Sequence, residues 1–258
     1  MSYKFDVEKV TLDCIAWIQK WFAHNAPLKK AIIGISGGID STVAAALCNK
    51  AIGVKHCVGV ILPNMYQEDL PLANTISAAY CDENVHINIG KTYADIITQL
   101  TDNHIVASDQ TRINLPARLR MSILFAVAQS VGGMVVNTSN LSESYVGYDT
   151  LFGDQCGALS PLGMLTKTEI REMAKYLRVP SKVITKEPSD GLSGRTDEEA
   201  FGFTYKELDN YLRNGGVGVA ANVISEIERK HEMSAYKRNM VTLDTFYYDP
   251  HGRISICK

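Results

Sequence analysis

The sequence predicts an α/β fold, a doubly wound, Rossmann-like parallel sheet with helices on both of its faces. Two observations support this fold: short apolar runs typical of buried parallel strands, and helical stretches that alternate with them. The runs predicted as strands are 31–35, 57–62, 85–89 and 134–136. The stretches predicted as helices are 6–23, 42–50, 70–81, 91–101, 115–131, 204–213 and 217–232.

The N-terminal elements show this pattern most clearly. Asp6 is a favoured N-cap residue, and the apolar residues after it recur at three- and four-residue steps, which indicates an amphipathic helix over 6–23. The apolar run 31–35 follows, then a glycine turn and the alanine-rich helix 42–50. In a doubly wound sheet ligands bind beyond the carboxyl ends of the strands, so the loops after residues 35, 62 and 136 are the predicted site.

The loop after the first predicted strand has the sequence Ser36-Gly37-Gly38-Ile39-Asp40-Ser41. Glycine has no Cβ, so backbone N–H groups here can approach a ligand closely, and the helix that follows directs its positive end at the same point. We therefore expect an anion site, with Ser36 and Ser41 as hydroxyl donors and Asp40 as a magnesium ligand beside phosphates. The plainer alternative is a turn in which Ser41 caps the helix. The loop is not a Walker A motif, because no Gly-Lys-Ser/Thr ends it.

Residues 114–121 predict the start of a helix with Pro116 in its first turn. Arg118 and Arg120 would then lie at the positive end of the helix dipole, where each costs about 0.3–1 kcal/mol unless an anion compensates. A bound anion is one interpretation, and two solvated surface arginines are the other.

Another helix start is predicted at Thr166, which forms with Glu169 the Thr-x-x-Glu pattern of a capping box. Lys167 is then the first residue of this helix, a cation at the positive end, and a bound phosphate would account for it. Glu143, three residues after Asn140, fits the partner in a further capping box. Residues 182–204 have no periodicity and are rich in Gly, Ser and Pro, which predicts a long loop.

Composition excludes several classes of function. The formal net charge of −2 and the pI near 6.3 give no basic surface for a nucleic acid. No stretch approaches the roughly 20 apolar residues that span a bilayer, and no secretory signal precedes the first helix, so a cytoplasmic protein is expected. The six cysteines and six histidines are scattered without metal-ligand spacing, which argues against a zinc site.

The loop 36–41 resembles the SGGxDS pyrophosphate loop of the ATP pyrophosphatases, which have the adenine nucleotide alpha hydrolase-like fold. Members of this group cleave ATP between the α and β phosphates and pass AMP to a substrate. From Asn114 to about Tyr211 the chain looks like an ammonia-dependent NAD synthetase. The matching motifs are Arg118-Leu119-Arg120-Met121, 137–143, Gly147-Tyr148, Phe152-Gly153-Asp154, Pro161-Leu162 with Lys167, Pro188-Ser189, 196–199 and 202–205.

This resemblance implies a ligase that adenylates the carboxylate of deamido-NAD and amidates it with ammonia, with Asp40 and Lys167 as catalytic residues. The implied Mg²⁺ ligands are Asp40 and Glu143. The implied ATP contacts are Gly34, Ile35, Ser36, Gly37, Gly38, Ile39, Asp40, Ser41, Gln67, Thr138, Lys167 and Ser189. The implied deamido-NAD contacts are Arg118, Leu151, Asp154, Ala158, Tyr236 and Lys237.

The resemblance also implies a homodimer, and it predicts that residues 1–258 form a single synthetase domain without a glutaminase domain. Ammonia would then be free or come from a separate glutaminase. The loop 186–199 is expected to close over the adenylate. The chain departs from the family where Leu151 replaces a lysine, Ala158 an aspartate, Ile61 an arginine and Tyr236 a histidine. The alternatives are therefore the same chemistry on another acceptor, or a nucleotide-binding regulator without turnover.

Overall fold

The computed structural model describes residues 3–67, 69–188, 196–240, 244–245 and 248–251. Its centre is a six-stranded sheet in which every pair of neighbouring strands is parallel. The strands are β1 (Lys30–Gly34), β2 (Cys57–Ile61), β3 (Glu83–His86), β4 (Gly133–Val136), β5 (Leu159–Ser160) and β6 (Asp244–Thr245). The doubly wound parallel sheet predicted from the sequence is confirmed.

The strand order is β3-β2-β1-β4-β5-β6, so the chain first builds the sheet to one side of β1 and then crosses to the other. In the register of the central pair, Ile32 lies beside Val135 and Ile33 beside Val136. The direction of winding reverses between β1 and β4, which is the switch point where such sheets bind ligands. The loops after Gly34 and Val136 both begin at that point.

The helices cover both faces of the sheet. They are α1 (Val7–Asn25), α2 (Ile39–Ile52), α3 (Leu70–Tyr80), α4 (Gly90–Asp102), α5 (Asp109–Val131), α6 (Leu141–Tyr145), α7 (Lys167–Tyr176), α8 (Ser181–Thr185), α9 (Asp197–Phe201), α10 (Tyr205–Asn214), α11 (Ala221–Met233) and α12 (Ala235–Met240). Successive side chains of a strand point to opposite faces. Ile33 accordingly joins the core that includes α1, α2 and α7, whereas Ile32 joins the core against α5.

A third apolar cluster lies outside the two faces of the sheet and supports the site. Phe201 of α9, Tyr205 and Leu208 of α10 and Leu141 of α6 are buried together in it. This cluster brings the end of α9 and the start of α10 against α6, the helix that carries Glu143.

Two helix starts differ from the prediction. α5 begins at Asp109 and not near residue 114, because Ser108 is the N-cap and its Oγ accepts a hydrogen bond of 3.1 Å from Thr111 N. Pro116 therefore lies inside the helix, and the expectation that Arg118 and Arg120 occupy its positive end is wrong. α11 begins at Ala221, so Val217, which is 78% exposed, precedes it.

Other boundaries shift by less. α2 begins at Ile39, three residues earlier than predicted, which places Asp40 and Ser41 in its first turn. The predicted loop 182–204 contains the short helices α8 and α9, and residues 189–195 of it, including Ser189, lie outside the described part of the chain. Within the described ranges, no helix has the length and apolar character needed to cross a membrane.

Candidate active site

The loop after β1 forms a cradle of hydroxyl and backbone donors. Gly37 has a φ of +85°, a conformation that side chains rarely adopt, and this allows the tight turn into α2. Ser36 Oγ lies 3.1 Å from Ser41 Oγ and accepts a hydrogen bond of 3.1 Å from Gly38 N. The N-cap of α2 is Gly38 and receives no side-chain cap, so the alternative in which Ser41 caps this helix is wrong.

The central contact of the site joins three segments that are distant in the sequence. Lys167 Nζ lies 2.7 Å from Asp40 Oδ2 and 2.8 Å from Glu143 Oε1. Asn140 Nδ2 donates to Asp40 Oδ1 at 3.1 Å. Lys167 is the first residue of α7, and Thr166 and Glu169 form the complete capping box at the start of this helix, as predicted. These contacts bring the loop 36–41, predicted to hold phosphates and called the phosphate loop below, to one point with the loop after β4 and the start of α7.

Glu143 makes only one of the two hydrogen bonds of a capping-box partner. Its backbone N–H donates to Asn140 Oδ1 at 3.0 Å, as at any capped helix start. Its carboxylate, however, contacts Lys167 and Tyr205, and no reciprocal bond to the Asn140 backbone is found among the described residues. The carboxylate is therefore available to the site, and the capping-box interpretation holds for the backbone alone.

Charge in this cluster depends on burial. Burial alone lowers the pKa of Lys167, but the adjacent carboxylates of Asp40 and Glu143 outweigh it, so the pKa is raised and the ammonium is retained. Burial raises the pKa of Glu143 to about 7, although Lys167 opposes this shift. The side chain of Lys167 is 3% exposed, against 18% for Asp40 and 15% for Glu143. The two carboxylates thus face the solvent side of a buried cation.

Two residues of the site received no role from the sequence. The Tyr205 hydroxyl lies 3.0 Å from Glu143 Oε1 and 2.7 Å from Asp197 Oδ2, and Lys167 Nζ lies 5.1 Å from the centre of the Tyr205 ring. Both residues follow threonines with the Thr-x-x-Glu pattern, Thr196 and Thr204, which form capping boxes. That signal predicts the two helix starts but gives no indication that they meet Glu143.

A second group of polar residues lies after α6. Lys237 Nζ donates to the backbone oxygens of Gly147 and Asp149, both at 2.7 Å. Asp154 Oδ1 accepts a bond of 2.7 Å from Thr150 N. Burial is the main cause that lowers the pKa of Lys237, and Asp149 and Asp154 oppose the shift. This group therefore offers an ammonium and a carboxyl group in addition to those of the central cluster.

One cleft of about 840 Å³ contains both groups. The predicted ATP and metal residues that line it are Gly34, Ile35, Ser36, Gly38, Ile39, Asp40, Ser41, Gln67, Thr138, Glu143 and Lys167. Of the predicted acceptor residues, Asp154 and Lys237 line it. Gly37, Arg118, Leu151, Ala158 and Tyr236 are described but do not line it.

The acceptor residues outside the lining have other contacts. Arg118 Nε donates to the Leu151 backbone oxygen at 3.3 Å. Ala158 packs against the larger core, and its N–H donates to Val135 O at 2.8 Å. Tyr236 is 55% exposed. The cleft is thus lined by almost all of the predicted ATP contacts and by some of the predicted acceptor contacts.

The carboxylate oxygens of this site are suitable ligands for a hard cation, such as Mg²⁺, that also binds phosphate. Within the described residues, no group of three or more His, Cys, Asp or Glu side chains is arranged to hold a metal. Mg²⁺ needs fewer protein ligands, since it is commonly held by one or two carboxylates together with substrate phosphates. Asp40 and Glu143 meet that requirement beside the phosphate loop.

Comparison with known proteins identifies the family. The family model described as NAD synthase matches residues 11–241, which is most of the chain. The chain belongs to the NAD synthase family. The predicted resemblance is thereby confirmed, and so is a fold shared with the solved NAD synthetases.

Individual relatives agree over nearly the whole length. The NH(3)-dependent NAD(+) synthetase of Finegoldia magna is 39% identical over 232 residues, which cover 89% of this chain and 93% of the relative. A solved NMN synthetase from Francisella tularensis is 33% identical with a TM-score of 0.84, covering 94% of this chain and 100% of that one. A solved NH3-dependent NAD synthetase from Campylobacter jejuni is 26% identical with a TM-score of 0.73, covering 93% and 99%.

Proposed function

We propose that this chain is an ammonia-dependent NAD synthetase that converts deamido-NAD, ATP and ammonia to NAD, AMP and pyrophosphate. The observation that carries the proposal is the contact of Lys167 with Asp40 and Glu143, next to the Gly37-Gly38 loop. The family supplies the reaction class, and the curated relative from Finegoldia magna is named for this activity. ATP is the co-substrate that would bind at the loop 36–41.

ATP would bind along the loop after β1. Backbone N–H groups and the hydroxyls of Ser36 and Ser41 would hold its phosphates, because this cradle combines glycine access with the start of α2. Gln67 would lie near the adenine and Thr138 beside the phosphates, since both line the same cleft. Ser189, a further predicted ATP contact, lies outside the described residues.

The reaction would take two displacements. The nicotinate carboxylate oxygen attacks the α-phosphorus of ATP, and the bond from that phosphorus to the bridging oxygen breaks, which releases pyrophosphate. Ammonia then attacks the acyl carbon, AMP leaves with the carboxylate oxygen, and the amide nitrogen loses a proton. Lys167 would offset charge on the departing pyrophosphate, because its ammonium is buried and retained. Asp154 and Lys237 would hold the acceptor at the other end of the cleft.

Asp40 and Glu143 would hold Mg²⁺ together with phosphate oxygens. When bound there, Mg²⁺ supplies positive charge to the phosphates. The residues of this chain fix the two carboxylates: Asn140 holds Asp40, and Tyr205 holds Glu143.

The test is product analysis with deamido-NAD, ATP, ammonium and Mg²⁺. NAD, AMP and pyrophosphate should form in equal amounts, and ¹⁸O placed in the nicotinate carboxylate should appear in AMP. An Asp40→Asn variant should lose this turnover and serve as the inactive control. ADP as the product would exclude adenylation, and ATP binding without pyrophosphate release would favour a regulator without turnover.

A second candidate keeps the chemistry and changes the acceptor to nicotinate mononucleotide. The solved NMN synthetase from Francisella tularensis is more similar to this chain than the solved Campylobacter enzyme is, in both identity and TM-score. Leu151 and Ala158 also replace charged residues on the predicted acceptor side. Both acids should be offered in competition. A higher kcat/KM for the mononucleotide would favour this candidate, and a higher value for deamido-NAD would favour the first.

We also propose that the chain forms a homodimer and uses free ammonia or ammonia from a separate glutaminase. In α5, a helix of 23 residues, Pro116, Ala117 and Ala128 are buried, whereas its leucines are partly exposed. Leu119 and Leu124 pack partly against the core of this chain, and a partner would cover the parts of α5 that this core leaves exposed. Light scattering should give twice the mass of 28.4 kDa, and a stable monomer at assay concentration would contradict the dimer. Ammonium should support turnover and glutamine alone should not.

A further inference from the structure

The Asp197 carboxylate is buried in the cleft without full hydrogen bonding. The residue is 3% exposed and lines the cleft. Its Oδ2 accepts from the Tyr205 hydroxyl at 2.7 Å. Among the described residues no hydrogen bond of good geometry reaches its buried Oδ1. Burial raises the pKa of the carboxyl, although a contact with Tyr148 opposes this shift. A buried carboxylate with incomplete hydrogen bonding is costly, and its position in the cleft leaves it able to act on a charge bound there.

Tyr205 connects Asp197 to Glu143. Its side chain is completely buried, and its hydroxyl lies within hydrogen-bond distance of both carboxylates. The hydroxyl is the donor in both contacts. One proton cannot satisfy two carboxylates at once. Glu143 and Asp197 therefore lie on either side of one hydroxyl group, which can donate to only one of them at a time.

The charges of this cluster do not balance within the described residues. Asp40, Glu143 and Asp197 carry carboxylates, and they share the ammonium of Lys167. Three acids thus share one ammonium, so a divalent cation at Asp40 and Glu143 would meet an excess of carboxyl groups. Electrostatic interactions are strong where water is excluded, so the charge of Asp197 acts on a cation held by Asp40 and Glu143.

We infer that Asp197 is a positioning residue for the divalent cation of Mg·ATP, acting through the Tyr205 hydroxyl on Glu143. It holds the Glu143 carboxylate in place and adds its own charge to the field that retains the cation. This inference rests on the proposed function, because it concerns the metal site of that reaction. It assigns to the start of α9 a role that its helix-capping pattern does not reveal.

The experiment measures metal binding directly, without turnover. Mn²⁺ is titrated into the protein with the non-cleavable analogue α,β-methylene-ATP, and free Mn²⁺ is followed by electron paramagnetic resonance. Asp197→Asn removes the charge and keeps the size of the side chain. Tyr205→Phe removes the hydroxyl and keeps the ring beside Lys167. Loss of an outer-sphere partner of this kind typically weakens metal binding about 10- to 100-fold, and we expect that loss in both variants.

The matched control is Glu199→Gln on the same helix, α9. Glu199 is exposed, the substitution removes the same charge, and glutamine can keep the capping box with Thr196. Its Mn²⁺ affinity should stay within about twofold of the parent protein. The affinity of the analogue without metal should be unchanged in Tyr205→Phe, which separates a role at the metal from a general loss of the binding site.

The outcomes are distinct. Parental Mn²⁺ affinity in a folded Asp197→Asn or Tyr205→Phe protein overturns the inference, as does an equal loss in Glu199→Gln. If Asp197→Asn does not fold, Tyr205→Phe still decides. If the parent protein binds Mn²⁺ and the analogue but makes no amide, the proposed function fails while the inference stands.

Discussion

Lys167 and Asp40 are 127 residues apart in the sequence, yet Lys167 Nζ lies 2.7 Å from Asp40 Oδ2. Each side chain lies near the start of a helix, and each of those helices follows a different loop at the carboxyl edge of the sheet. The contact therefore depends on the whole fold. It also places the buried ammonium of Lys167 at the phosphate loop, where charge would develop during adenylation.

The first prediction concerns Lys167. Lys167→Met keeps the length of the side chain and removes its charge, and kcat for NAD formation should fall about 100- to 1,000-fold, as when one preorganised electrostatic donor is removed. The control is Lys175→Met on the same helix, α7, where the exposed lysine pairs with Glu172. Its kcat should be unchanged. Circular dichroism must show that Lys167→Met is folded, and near-parental turnover in a folded Lys167→Met protein would contradict the catalytic role.

The second prediction concerns stability. Glu169 accepts hydrogen bonds of 2.7 Å from Nε and Nη2 of Arg213, and both side chains are 3% exposed. Glu169→Ala would leave the Arg213 charge buried without its partner, and the free energy of unfolding should fall by about 3–5 kcal/mol. Urea denaturation measures this. Glu172→Ala breaks the exposed pair with Lys175 and should cost about 1 kcal/mol or less, so equal losses in the two variants would count against the argument.

The third prediction concerns pH. Asp149 is buried, and burial, then the charges of Asp154 and Glu143, raise its pKa well above the usual range, although bonds from Ser144 and Ser139 oppose this. In the unfolded chain its pKa is about 4. Above that pH the folded protein holds a proton that the unfolded chain has released, so this group lowers stability increasingly as pH rises.

Asp149→Asn removes that effect and keeps an acceptor for the Ser144 hydroxyl. The variant should therefore gain stability over the parent protein steadily as pH rises above about 4. Urea denaturation from pH 5 to pH 8 gives the difference. The control is Asp13→Asn, since Asp13 is 52% exposed. A difference for Asp149→Asn that stays flat or shrinks with pH would show the sign to be wrong.

Local patterns were enough to predict two features that line the cleft, the loop after β1 and the start of α7. The loop 36–41 needs a strand before it, glycines within it and a helix after it, and all three can be seen in about twenty residues. The capping box at Thr166 likewise placed Lys167 at the start of α7. Such features are determined by neighbours in the sequence, so periodicity and capping rules can find them.

The remainder of the site depends on contacts that no local pattern encodes. Tyr205 contacts Glu143, which is 62 residues away in the sequence. This contact depends on the packing of the third apolar cluster and not on the capping pattern. The error at α5 has a local cause instead. Proline in a first turn is common, but the cap at Ser108 began the helix earlier and left Pro116 inside it. The inferred positive end at Arg118 followed from that misplaced start.

The last prediction tests which acceptor the cleft prefers. Deamido-NAD has a second phosphate group that nicotinate mononucleotide lacks, and the resemblance to the family implies a lysine where this chain has Leu151. The Leu151 backbone oxygen accepts from Arg118, and the Leu151 side chain is partly exposed just outside the lining of the cleft, so a lysine there would add a cation near the proposed acceptor residues. Leu151→Lys should raise kcat/KM for deamido-NAD relative to the mononucleotide about fivefold, the equivalent of about 1 kcal/mol. Leu151→Met supplies the length without the charge and should leave the ratio unchanged. A larger gain for the mononucleotide would instead place the second phosphate away from Leu151.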